Sequence, residues 1–251
     1  MTDFKAAYIN ELVKMRHKSK ILTGAVLSLV AAVIYQIALS VISSGIGIQI
    51  GDGASFALSI LGFYSVTLLP LFAVFVVIDS FNGEMASNTM KQTLARPLSR
   101  FGVFCSKVAA VATFLALSLL FMMVTTSIIG FIMRFNAGFS LVSLGRVVIA
   151  YLVTWLPLMV FLTVVIFMAQ FSKNGILTFF LSIFVFLALQ ALRFFNPQLS
   201  NLLIVPLFDW YIGWIADVAN FGTLFRQFSL LAGSGLAFFG LGCYLFEKRN
   251  Y

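Results

Sequence analysis

The sequence predicts an all-α integral membrane protein with six transmembrane helices. Three observations carry that prediction. First, 61% of the 251 residues are apolar and only 10% are charged, whereas a soluble domain averages roughly 45–50% and about 25%. So few charges cannot cover a water-facing surface, and the mean hydropathy of +1.06 agrees. Second, six segments contain no Asp, Glu, Lys or Arg: 21–44, 56–78, 108–133, 147–171, 176–192 and 228–246. A hydrocarbon core of about 30 Å takes roughly 20 apolar residues of helix. Helix is required there because lipid offers unpaired backbone groups no partner. Third, the basic residues are unequally shared between alternate connections. Of the 16 Lys and Arg, 12 fall in 1–20, 79–107, 172–175 and 247–251, and four in 45–55, 134–146 and 193–227. The positive-inside rule then places both termini in the cytoplasm.

In chain order, Thr2 is suited to cap a helix with Asp3 in its first turn. Phe4, Tyr8, Leu12 and Met15 recur at helical spacing, with Lys5, Asn10, Glu11, Lys14 and Lys18 mostly on other faces. This predicts an amphipathic interfacial helix over 2–18, lying along the inner leaflet. The span 21–44 that follows is too long for a signal-peptide core. Span 176–192 is the shortest, within reach of a bilayer through snorkelling or tilt. Between it and the last span, 193–227 is too apolar for a solvated loop. A seventh span is excluded, since Pro206, Asp209 and Asp217 interrupt the run and a seventh would put the basic C-terminus outside. Short re-entrant outer helices are expected over 198–225, divided at Pro197 and Pro206, with Trp210 and Trp214 at the membrane boundary. The last span carries Gly233, Gly235, Gly240 and Gly242, which permit close helix approach. No connection is long enough for a soluble domain, so 1–251 reads as one transmembrane domain.

Several functions are excluded. The net charge of +8 is spread in short patches, so nucleic acid is not an expected partner. One His, His17, and two Cys leave no material for a zinc site, and Cys105 and Cys243 are expected to be free thiols. No P-loop occurs, so no ATP or Mg site is expected in this chain. Hydrolase signatures are also missing, which makes an intramembrane enzyme a poor alternative. An ion-coupled secondary carrier is the nearer alternative. It usually keeps ionisable groups at mid-membrane, where these spans hold only neutral polar residues such as Gln36 and Gln190.

The most informative stretch is the connection 79–107. It contains Glu84, Ser87-Asn88-Thr89, Lys91, Gln92, then Arg96-Pro97-Leu98-Ser99-Arg100, and Lys107. Thr89 and Gln92 have capping-box spacing, and Pro97 disfavours helix at Arg96. A short helix from Thr89 to Ala95 is expected, exposed to a soluble partner.

These residues resemble the signature of ABC-2-type permeases, the membrane subunits of one class of ABC transporters. That signature runs Glu-x-x-Asn-Gly-Thr, an apolar stretch, Arg-Pro-x-Ser-Arg and a Lys. Glu84, Thr89, Arg96, Pro97, Ser99, Arg100 and Lys107 match it, while Ser87 and Asn88 replace Asn and Gly. The resemblance implies a bacterial plasma-membrane exporter of small amphipathic or hydrophobic compounds such as antimicrobial peptides, drugs or lipids. It implies two permease copies or homologues, docked on two cytoplasmic ATPase subunits that hold ATP and Mg. The loop helix would be the coupling helix, with Glu84, Asn88, Thr89, Lys91, Arg96, Pro97, Arg100 and Lys107 as coupling residues, and the outer helices with Trp210 and Trp214 would cap the cargo path as an outer gate.

Overall fold

In a computed structural model of the chain, the described residues are 2–17, 53–87, 99–133, 140–195, 208–218 and 220–249, with the isolated positions 30, 34, 89 and 90. They form α1 (Thr2–His17), α2 (Gly53–Val66), α3 (Leu68–Ser80), α4 (Asn82–Ala86), α5 (Arg100–Met133), α6 (Leu141–Ala169), α7 (Gly175–Phe195), α8 (Tyr211–Ile215) and α9 (Phe221–Lys248). Among the described residues there is no strand. Five helical runs among them are long and apolar enough to cross a membrane: Leu68–Ala86, Arg100–Ile132, Leu141–Ala169, Gly175–Leu192 and Phe221–Lys248. The expected first span, 21–44, lies outside the described residues except for Val30 and Ile34, which are helical and exposed.

Two boundaries correct the sequence reading. The expected span 56–78 is not one helix but α2 and α3, separated at Thr67. Pro70 supplies the reason. It has no N–H to give to the carbonyl of Val66, and its ring crowds that carbonyl. Pro is tolerated in a helix's first turn, so α3 restarts just before it. The connection 79–107 also contains more helix than expected. α3 runs to Ser80, a turn at Phe81 leads into α4, and α5 already begins at Arg100. Ser99 starts α5 as its N-cap, its hydroxyl accepting from the Gly102 N–H at 3.0 Å.

α6 is the central helix and packs against α2, α3, α5, α7, α8 and α9. Apolar on all sides, it is buried over most of its length, as a helix in a core should be. α7 and α9 sit at the rim and bury few side chains. α9 approaches α6 most tightly at Gly235, while Gly242 leaves room for ordinary contact. A Cβ at Gly235 would lie 3.2 Å from Val160 Cγ2, and one at Gly242 would lie 3.7 Å from the Phe167 backbone. Gly233 and Gly240 have open space where a Cβ would go. In the segment expected to be re-entrant, the described residues show α8 and the early start of α9 at Phe221, capped by Asn220. Residues 198–207 lie outside the described residues.

Candidate functional site

α1 packs along α5, and two contacts fix their relative direction. Tyr8 Oη is 2.7 Å from Thr113 Oγ1, and Glu11 Oε2 accepts from Lys107 Nζ at 3.0 Å. Rising residue numbers on α1 thus meet falling numbers on α5, so the helices run in opposite directions. Three of the four residues of the apolar stripe are turned to the protein: Tyr8 and Leu12 pack on the core and Met15 is buried, while Phe4 is exposed. Lys5, Ile9 and Val13 face away from it. Glu11, placed by the sequence reading on another face, is buried in the middle of the stripe.

Glu11 meets three other charges there, forming a closed ring of alternating sign. Lys107 Nζ donates to Glu11 Oε2 at 3.0 Å and to Glu84 Oε2 at 2.8 Å. Lys14 Nζ donates to Glu11 Oε1 at 2.7 Å and to Glu84 Oε1 at 2.9 Å. The third proton of Lys107 goes to the Ser80 carbonyl at 3.2 Å, so its donor capacity is fully used. The Lys107 side chain is 0% exposed. Phe81, Phe104 and Phe246, all fully buried, pack on one another beside it, and its ammonium lies 5.9 Å from the Phe81 ring centre.

Each member is placed by a local feature. Glu11 and Lys14 are one helical turn apart on α1. The turn at Phe81 re-aims the chain so that Glu84 sits in the first turn of α4, where a carboxylate is favoured by the helix dipole. Lys107 lies two turns inside α5 rather than in a loop. The ring is neutral overall, which is how three buried charges and the half-buried Lys14 can share one site. A buried pair adds little net stability, but removing one partner strands a charge at about 3–5 kcal/mol. Burial alone would lower the affinity of Lys14 for its proton. The hydrogen bonds and charges of Glu11 and Glu84 outweigh it and hold the ammonium above the ordinary lysine range. Its contribution is therefore complete below the unfolded lysine value and is lost only as alkaline pH rises through the raised one.

The other loop residues divide by position. Ser87 and Thr89 satisfy the end of α4, with Ser87 Oγ donating to the Gly83 carbonyl at 2.9 Å and Thr89 Oγ1 to the Glu84 carbonyl at 3.4 Å. Asn88, Lys91, Arg96 and Pro97 lie outside the described residues, as does most of the expected helix from Thr89 to Ala95. Arg100 is exposed at the start of α5 and donates to the carbonyls of Glu247 and Arg249. Asn82 Nδ2 donates to the Ser172 carbonyl at 2.8 Å and to Thr178 Oγ1 at 2.9 Å, which ties α4 to the α6–α7 connection. Cys105 and Cys243 are free thiols at this end.

Trp210 and Trp214 are brought together at the other end. Their rings meet edge to face with centres 5.5 Å apart, and Trp210 also stacks on Phe228 at 6.4 Å. Trp210 is 5% exposed and Trp214 41%. Arg146 on α6 pairs with Asp217, just past α8.

Glu11, Lys14 and Asn82 are residues that sequence reasoning missed at the charged end. One signal for Glu11 was present: a carboxylate inside an otherwise apolar helical stripe is out of place unless something pairs with it. Among the described residues, no group of three or more His, Cys, Asp or Glu is placed to hold a metal ion.

A family model described as ABC-2 family transporter protein matches residues 9–189. The chain belongs to the ABC-2 transporter family. The comparison with curated proteins gives no match. The match takes in all four members of the ring, so the charged end of this ABC-2 protein lies within its family core. Trp210 and Trp214 lie beyond the matched stretch. This ABC-2 protein is accordingly a membrane transport subunit, with several apolar helices of spanning length.

Proposed function

We propose that the chain is the permease subunit of an ATP-driven exporter in a bacterial plasma membrane. Two copies, or this chain and a homologue, work with two cytoplasmic ATPase subunits that hold ATP and Mg. The cargo is a small amphipathic or hydrophobic compound. One observation carries the reading beyond family membership: the buried ring that joins α1, α4 and α5 at the loop end. An ATPase gripping the loop near Lys91 and Arg96 would displace α4, and Glu84 would pass that displacement to α1 through Glu11 and Lys14 and to α5 through Lys107. Glu84 and Lys107 face inward, so their coupling role is to transmit movement within the permease. The basic residues of the loop support a cytoplasmic location for this end.

The test reconstitutes the permease in proteoliposomes with a candidate cytoplasmic ABC ATPase subunit from the same organism. Uptake of a fluorescent amphipathic probe into inside-out vesicles should require ATP and persist when ion gradients are collapsed. Glu84→Gln should cut probe uptake per ATP hydrolysed by at least about fivefold, the lower end of ordinary coupling energies. Uptake that needs an ion gradient and ignores ATP would instead establish the secondary-carrier reading. The arrangement of charge argues against that carrier. Among the described residues, the buried charged side chains are Glu11, Glu84 and Lys107, gathered in the ring at one end of the bundle.

A further inference from the structure

The motif arginine Arg100 is in an odd place for a cation. It is the first residue of α5, where the helix dipole disfavours positive charge. Its guanidinium is instead turned onto another helix end. It donates to the carbonyls of Glu247 and, at 3.3 Å, Arg249, which belong to the last turn of α9 and the residue ending it. Such carbonyls have no partner within their own helix and attract a cation.

Arg249 then repeats the arrangement one helix further on. Its Nη1 donates to the Gln170 carbonyl at 2.7 Å and the Ala169 carbonyl at 3.4 Å, at the C-terminal end of α6. The two arginines thus form a relay from the start of α5 to the end of α9 and from there to the end of α6. α6 is the central helix of the bundle, and its next residues are held by the loop as well, through Asn82 on the Ser172 carbonyl.

We propose that Arg249 is a positioning residue of the transport cycle, clasping the end of α6 to the end of α9 so that loop movement reaching Arg100 is delivered to both helices together. The ring acts on α1 and α5, and this clasp continues from the first residue of α5 into α9 and α6. The assignment rests on the permease reading above.

The test uses the permease and its ATPase in lipid nanodiscs, where both faces are accessible. Cys105 and Cys243 are replaced by Ala. Ile215→Cys, half-buried at the far end of the bundle, is the reporter. Its labelling rate with a water-soluble maleimide is measured with and without ATP, alongside ATP hydrolysis and thermal stability. In the parent protein ATP should change the rate. Arg249→Ala should keep ATP hydrolysis and melting temperature while the ATP-dependent change shrinks by about tenfold, within the usual range of coupling between sites. Arg249→Lys, which keeps a cation and a donor against the α6 carbonyls, should recover most of the change. A parental response in Arg249→Ala overturns the proposal. So does an Arg249→Lys response no better than that of Ala, or a loss of response that merely follows a loss of stability. Absence of ATP hydrolysis in the parent complex would sink the permease reading itself, and this inference with it.

Discussion

Lys107 and Glu11 stand 96 residues apart in the chain and 3.0 Å apart in the fold. This contact makes the N-terminal helix part of the bundle rather than an appendage to it. It also explains how a lysine can be fully buried two turns inside an apolar helix.

The first prediction tests that burial. Lys107→Met removes the only cation that reaches Glu11 and Glu84 from α5, leaving both carboxylates buried with Lys14 alone. The loss should be about 3–5 kcal/mol, read as a lowered unfolding midpoint in detergent. Glu11→Gln combined with Lys107→Met should cost clearly less than the two changes added, because partners in one network do not behave independently. Strict additivity would show that the pair does not interact in solution.

A second prediction concerns the start of α5. Ser99→Ala deletes the hydroxyl that accepts from Gly102 and should destabilise the protein by about 1 kcal/mol. Ser99→Asp should recover it, since a carboxylate caps as well and also suits the helix dipole. Equal losses in both variants would show that the cap is not made.

The charged end was partly legible in the sequence and partly hidden, for a physical reason. Glu84, Arg100 and Lys107 stood out because they interrupt apolar runs at spacings that match a family signature. Glu11 and Lys14 did not, because on a short amphipathic helix a charge normally means a solvated face. Only the packing of α1 on α5 reverses that meaning. The break at Thr67 was readable from Pro70 but was masked by the continuous apolar run 56–78, since hydropathy reports burial and not backbone continuity. The early start of α5 was missed because charge was used to delimit spans, and Arg100 and Lys107 are charged residues inside a helix. Five of the six predicted charge-free spans overlap helical runs of membrane-crossing length, because the length of an apolar run is a strong signal in lipid.

A third prediction separates the two kinds of ion pair in this molecule. Arg146 and Asp217 form a bridge whose side chains are 44% and 83% exposed. Asp217→Asn should shift stability by less than about 1 kcal/mol, and high salt should erase even that. A loss as large as that of Lys107→Met would mean that the 216–218 segment is held by this pair.

A fourth prediction concerns orientation. Single Cys at Val218, which is 89% exposed, should react with an impermeant thiol reagent in intact cells. Single Cys at Ser87, exposed at the loop end, should react only after the membrane is opened. The reverse pattern would invert the topology and place the charged ring outside.

The ring also has an order of assembly. Synthesis runs from the N-terminus, so Glu11, Lys14 and Glu84 are all made before Lys107. The ammonium that is most costly to leave unpaired is therefore the last member of the ring to be made, after both of its acceptors. Disturbing α1, by deletion or by a bulky fusion, should show its effect 96 residues downstream, as failed insertion of α5.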